Sequence, residues 1–154
     1  MSEKLAALLD SESPDWDTVL AEILARMDCV TGTLHRLGAE SGLLEIVASR
    51  GIPEALAPKI ARIPIGKGIA GAAAEQRGPV QMCNLQTDTS GVARPDAKQT
   101  GVAGSLAVPV LDEQGKLAGT LGVGKTVPHE FTDDESAALA EIAASLAPRL
   151  QAGG

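Results

Sequence analysis

The apolar residues of this chain fall into a helical period at both ends and strand-like alternation between. Met1 to Asp10 reads as a short helical lead-in, broken by Ser11-Glu12-Ser13-Pro14. Trp16, Val19, Leu20, Ile23, Leu24 and Met27 then recur on one face of a helix that Asp15 or Ser13 can cap. Val30 to Leu37 and Leu43 to Ser49 read as strands joined by a turn at Gly38 to Gly42. Two short helices follow, Pro53 to Ile60 and Ile69 to Gln76, and then a strand from Pro79 to Cys83. From Asn84 to Gly104 the period disappears into a polar stretch interrupted by Gly91, Pro95 and Gly101, a long loop of the kind that carries function on a rigid scaffold. Leu106 to Leu111 and Lys116 to Val123 flank Asp112-Glu113-Gln114-Gly115, which has the length and composition of a hairpin turn. A last helix opens at Thr132, with Glu135 three positions on and Asp133 and Asp134 in its first turn. It carries Leu139, Ile142, Leu146 and Leu150 on one stripe, and Pro148 weakens its end. The order predicts an α+β domain over residues 15–150, with 1–14 an extension and 151–154 a tail. In it an antiparallel sheet has terminal helices on one face and connecting segments on the other.

Residues 119–126, Gly-Thr-Leu-Gly-Val-Gly-Lys-Thr, spell the phosphate-binding pattern G-x-x-x-x-G-K-[ST]. That loop works only when a helix begins at the Lys and Ser/Thr, so that its N-terminal amides and dipole face the anion. Here Pro128 falls where the second turn would form, at a cost of about 3 kcal/mol. The motif reads instead as the second strand of the hairpin, with Lys125 ending it at the surface. Gly66-Lys-Gly-Ile-Ala-Gly71 likewise spells the dinucleotide fingerprint G-x-G-x-x-G. The segment entering it carries Pro64, which a central parallel strand does not tolerate, and no further strand-helix-strand unit follows. It reads as a tight turn into a helix.

With 13 basic and 20 acidic residues the net charge is −7, a balance that disfavours nucleic acid and anionic membranes as partners. Trp16 and Phe131 are the only aromatics, so there is no base-stacking platform. The first ten residues lack the apolar run of an export signal, and the expected location is cytoplasmic. In that compartment Cys29 and Cys83 are expected as two reduced thiols.

Alternation places Leu117, Leu121 and Val123 on one face of the last strand and Ala118, Thr120, Gly122 and Gly124 on the other. The second face is bare, and Ser105 and Ala107 of the partner strand extend it, leaving room for a ligand or for an inward-folded loop. His35 shares a face with Thr31 and Thr33; a half-exposed strand histidine is the plainer reading, and the two histidines lack the spacing of a metal site. Cys83, at a strand end, reads first as a small buried hydrophobe. Arg94, Asp96 and Lys98 lie in the long loop, where they are solvated or touch a ligand.

These pieces together resemble the GAF domain family. The resemblance rests on Arg50-Gly51-Ile52-Pro53, on Ile65 to Gly71 followed by Gly78-Pro79-Val80, on Ser105 to Val110, on Leu117 to Val123 and on Phe131-Thr-Asp-Asp-Glu135, in that order and spacing over residues 15–147. It implies a sheet of five or six strands, a pocket beneath the variable loop, and frequent dimers through the terminal helices. No particular ligand follows from it, since members bind cyclic nucleotides, bilins, haem, small metabolites or nothing known. Cyclic-nucleotide-binding members carry an Asn-Lys pair, then a Phe, then Asp-Glu; Gly124-Lys125, Phe131 and Asp134-Glu135 keep most of that pattern but lose the asparagine. Members that reduce free methionine sulfoxide place a cysteine in the glycine turn, where this chain has Ala70, and another before the hairpin, where it has none after Cys83. Their acidic clamp matches Gly122 and Gly124, so thiol turnover is not expected. Bilin attachment would need a cysteine slightly later than Cys83. The resulting expectation is a sensing module for an unknown small molecule, with no predicted cofactor, that forms a homodimer or docks on a separate signalling protein. The pocket candidates are Thr33, His35, Cys83, Arg94, Asp96, Ser105, Thr120 and Gly122. A ligand-free interaction module and a divergent reductase are the alternatives. A two-fold helical interface would cover Leu20, Leu24, Leu146 and Leu150 if those leucines are exposed.

Overall fold

The computed structural model describes residues 3–11, 13–84 and 102–152. Helices α1 (Glu3–Leu9) and α2 (Trp16–Met27) lead into strands β1 (Thr31–Leu37) and β2 (Leu43–Arg50). A 3-10 turn at Glu54–Leu56 runs into α3 (Ala57–Ile60), followed by β3 (Arg62–Pro64), α4 (Gly68–Gln76) and β4 (Val80–Met82). The hairpin β5 (Ser105–Leu111) and β6 (Leu117–Gly124) and helix α5 (Asp133–Ala152) complete the chain. The six strands form one sheet in the order β3-β2-β1-β6-β5-β4, every neighbouring pair antiparallel. This is the α+β architecture expected, with β6 and β1 at its centre.

Helices α2 and α5 lie on one face of the sheet, and the main core is what they bury. Val19, Leu20 and Ile23 from α2 and Leu139, Leu146 and Leu150 from α5 are fully enclosed with Leu34, Leu106, Val108 and Leu121 from the sheet. The stripes read from the sequence are therefore consumed within the chain. Leu20, Leu24, Leu146 and Leu150 are all buried and offer no face to a second copy. Leu5 and Leu9 of α1 join the same core, and Arg149 Nε donates to the Leu9 carbonyl at 2.9 Å, tying the lead-in to the end of α5. Arg36 Nε does the same for the Leu150 carbonyl at 2.7 Å, supplying a donor to a helix end whose carbonyls lack intrahelical partners.

Helix ends follow the sequence signals. Asp15 caps α2 by accepting from Thr18 N. Thr132 and Glu135 form the reciprocal capping box at the start of α5, at 2.9 and 3.1 Å. Glu135 also faces His129 Nε2 at 3.0 Å. The bond from the Thr132 amide, followed by the contact with His129, holds its carboxyl below the usual range.

Two details depart from simple alternation. The β5–β6 register shifts between Val110 and Leu111, so that Leu111 pairs Leu117 while Val110 pairs Gly119. The extra residue turns Ala118 into the main core and Leu117 to the opposite face, where it joins Leu44, Ile63 and Ala74 beneath α4. Leu117 and Ala118 thus exchange the faces that strict alternation assigns them, while Thr120, Gly122 and Gly124 keep theirs. Lys125 does not end the strand in solvent. Its side chain is 15% exposed and its Nζ donates to the Asp28 carbonyl at 2.7 Å, just past the end of α2. Asp28 closes that helix in the left-handed conformation, φ 53°.

Lys125 apart, both nucleotide-like motifs take the backbone forms expected of them. β6 ends at Gly124, and no helix begins before Asp133. The glycine turn connects β3, antiparallel to β2, with α4. Gly66 and Gly68 sit at φ +91° and +67°, and Gly71 comes so near the Pro64 carbonyl oxygen that a Cβ there would lie 2.6 Å from it. These glycines shape a tight turn.

Candidate functional site

Opposite the terminal helices, the sheet carries a cavity of about 160 Å³. Its floor is built from two cross-strand rows. Thr31, Gly124 and Ser105 pair in the first and Thr33, Gly122 and Ala107 in the second, each row running from β1 through β6 to β5. Its roof is aliphatic: Ile52, Leu56, Ile60 and Ile63, from the segment that crosses the sheet between β2 and α4, and Ile69, in the first turn of α4. Val102 closes one side. Among the described residues Lys59 is the only charged group in the lining.

The glycines of β6 matter because of what leans over them. A Cβ on Gly122 would meet Thr33 Oγ1 at 3.2 Å and otherwise only ordinary contacts. One on Gly124 would meet Thr31 Oγ1 at 2.5 Å and Val102 Cγ1 at 2.8 Å. The threonine hydroxyls thus occupy part of the space the glycines clear. Among the described residues, no hydrogen bond engages the hydroxyls of Thr31, Thr33 or Ser105.

A third row, His35, Thr120 and Pro109, continues the same face inward. His35 and Thr120 are each 1% exposed. The Nε2 of His35 donates to the Ile60 carbonyl at 2.8 Å, linking the sheet to the roof. Its Nδ1 and the Oγ1 of Thr120 are buried without hydrogen-bond partners among the described residues. Burial lowers the His35 pKa from its ordinary 6.5, against the smaller opposing effect of the Ile60 carbonyl. The unfolded chain therefore takes up a proton near pH 6.5 that the folded one resists. The stability His35 contributes is present above that pH and is lost as pH falls through it. The melting temperature of the protein should accordingly drop more between pH 7.5 and 5.5 than that of His35→Gln, a window above the carboxylate range; parallel curves would contradict this.

Of the eight candidates, Thr33, Ser105 and Gly122 line the cavity. His35 and Thr120 lie one row inward, fully buried where a half-exposed histidine was the plainer reading. Cys83 follows β4 as an exposed free thiol and is not in the lining, so it is not a buried hydrophobe either. Arg94 and Asp96, with Lys98, fall outside the described residues. Cys29 is the buried thiol, its pKa pushed up to about 11 by desolvation. The roof was missed. Its signal was present, a run of isoleucine and leucine from Ile52 to Ile69 in elements too short to need them all for packing.

A six-stranded antiparallel sheet with helices on one face and a roofed cavity on the other defines an α+β domain of GAF type. The chain belongs to the GAF domain family: residues 16–151 match its family model, described as "GAF domain". Solved structures agree. The GAF domain of a phosphoenolpyruvate-protein phosphotransferase from Coxiella burnetii superposes with a TM-score of 0.74 at 21% identity, covering 96% of this chain and 88% of that one. A protein described as a GAF sensor from Burkholderia vietnamiensis gives 0.73 at 21% identity, covering 97% and 92%. Free methionine-R-sulfoxide reductase from Neisseria meningitidis, in complex with its substrate, gives 0.70 at 22%, covering 96% and 84%. At these identities the likeness shows the fold, which serves sensors and reductases alike. No curated protein sequence matches the chain. Among the described residues no helix is long and apolar enough to cross a membrane.

Proposed function

We propose that this chain is a small-molecule-sensing GAF domain that passes ligand occupancy to a separate signalling protein. The observation that carries the reading is the cavity itself: an aliphatic roof over a glycine and alanine floor, with three hydroxyls that have no hydrogen-bond partner among the described residues. Largely apolar concave sites with a few convergent polar groups are the common form of small-molecule sites. The reading favours binding over catalysis because no thiol or carboxylate stands in the lining among the described residues. Ala70 lines the cavity where the reductase resemblance would place a cysteine.

Ala107 is 3% exposed and forms part of the floor, so Ala107→Leu fills the site from within. A metabolite panel screened by thermal shift and native mass spectrometry should yield a ligand for the original protein. At about a hundredfold excess over Kd it would raise Tm by roughly 5–10 °C. Ala107→Leu should remain folded and lose that shift. A panel without a binder would favour a ligand-free interaction module, and a shift that persists in the variant would place the ligand outside this cavity.

A further inference from the structure

The lining also constrains what the cavity can hold. We infer that it selects a compact, uncharged and mostly apolar molecule, about the size of a single six-membered ring, whose one hydrogen-bonding group is met by Thr33. This rests on the sensing reading above and specifies its ligand.

Size comes first. An engineered protein cavity of about 150 Å³ accommodates benzene, and the 160 Å³ present here is close to that. A nucleotide or a tetrapyrrole is several times larger and would project beyond the described lining. Shape agrees, because the Gly122 and Ala107 positions leave a flat floor between the aliphatic roof and the strand backbone.

Charge comes second. A carboxylate, phosphate or ammonium ligand taken from water into an aliphatic cavity needs a counter-charge with good geometry. The described lining offers no acidic group at all, and its one cation, Lys59, already has an interaction of its own. The chain's net charge of −7 further disfavours anions. What the lining does offer is neutral: the hydroxyls of Thr31, Thr33 and Ser105.

The third constraint is position. Thr31 is 5% exposed, and its Oγ1 stands over Gly124 with Val102 against the same point. That corner is already filled. Thr33 is less buried, and its Oγ1 stands over Gly122, where the floor is open apart from that one oxygen. A hydroxyl, carbonyl or amide on the ligand can exchange a hydrogen bond with Thr33 while the rest of the molecule lies over Gly122 and Ala107. Unmade, that bond would leave a polar atom buried beneath an apolar ligand.

The experiment compares ring probes of one size on the full chain by amide NMR: phenol, toluene, benzoate and benzylammonium, with cyclic GMP as the large anion. Phenol should shift the Gly122 and Gly124 amides saturably and bind roughly two- to tenfold more tightly than toluene, the span of one neutral hydrogen bond. Benzoate and benzylammonium should bind more weakly than either. In Thr33→Val, which keeps the side-chain shape, phenol and toluene should bind equally while the rest of the spectrum stays unchanged. If benzoate or cyclic GMP shifts the same glycine amides more tightly than phenol, the ligand class is wrong and the sensing site stands. A phenol preference that survives in Thr33→Val removes Thr33 from the proposal. If no probe, phenol included, moves Gly122 or Gly124 in the original protein, this ligand class is wrong. The sensing reading falls separately, with a metabolite panel that yields no binder.

Discussion

Replacing Leu146 and Leu150 together by serine should leave a chain without a cooperative thermal transition. Both side chains are 0% exposed and stand one helical turn apart on α5, against the sheet. Truncating a buried leucine to alanine costs about 3–5 kcal/mol, and serine adds a buried hydroxyl. Even with some overlap between neighbouring sites the pair removes about 6 kcal/mol or more, against a total stability of about 5–15 kcal/mol for a domain of this kind. Circular dichroism should show loss of the sharp melt, with native mass spectrometry reporting an expanded charge-state envelope. A folded protein with a near-normal melting temperature would mean that these leucines face outward. The same pair would be the natural choice to break a helix-mediated dimer, and the buried positions show why it would mislead: it removes the core of one chain.

Gly119→Ala should destabilise by about 3 kcal/mol or more, lowering the melting temperature by roughly 6–12 °C. Gly122→Ala, three residues along the same strand, should change stability by no more than about 1 kcal/mol and can raise it. A Cβ on Gly119 would overlap the His35 carbonyl oxygen on the neighbouring strand, with Leu150 Cδ2 3.0 Å away. The obstructing atom belongs to the backbone of β1, which cannot retreat without opening the central pairing of the sheet. At Gly122 the nearest obstruction is a threonine hydroxyl at 3.2 Å, and a side chain can rotate. Thermal unfolding of the two variants beside the original protein checks the contrast; equal effects would contradict it.

The difference between those two glycines shows where the sequence is legible and where it is not. Element order, caps and the failure of the nucleotide motifs follow from local chemistry. Asp15, Thr132 with Glu135, and Pro128 each act on the backbone within a few positions of themselves, so their effects can be read from the chain alone. The small-residue face of β6 was legible too, since Thr120, Gly122 and Gly124 alternate with Leu121 and Val123. Yet Gly119 and Gly122 look alike in the sequence, because only the β1 pairing reveals that one is pressed against a carbonyl and the other underlies open space. The exchange of Leu117 and Ala118 depends in the same way on the register shift opposite Val110 and Leu111, which no pattern in β6 announces. His35 was misplaced because alternation gives its face and not what covers it: its cover, the Ile60 carbonyl, comes from 25 residues away. The roof stayed hidden for the same reason, its five aliphatic residues converging only once the crossing segment folds over the sheet.

The sheet of this molecule works as a partition. Nearly all the cohesion supplied by α1, α2 and α5 lies on one side of it, and the floor of the cavity lies on the other, made of side chains no larger than threonine. A substitution at 33, 105, 107 or 122 alters what fits in the cavity without reaching the leucines that hold the domain together. Specificity in such a build can drift while the scaffold stays put, so two chains can share this fold closely and still answer to unrelated molecules.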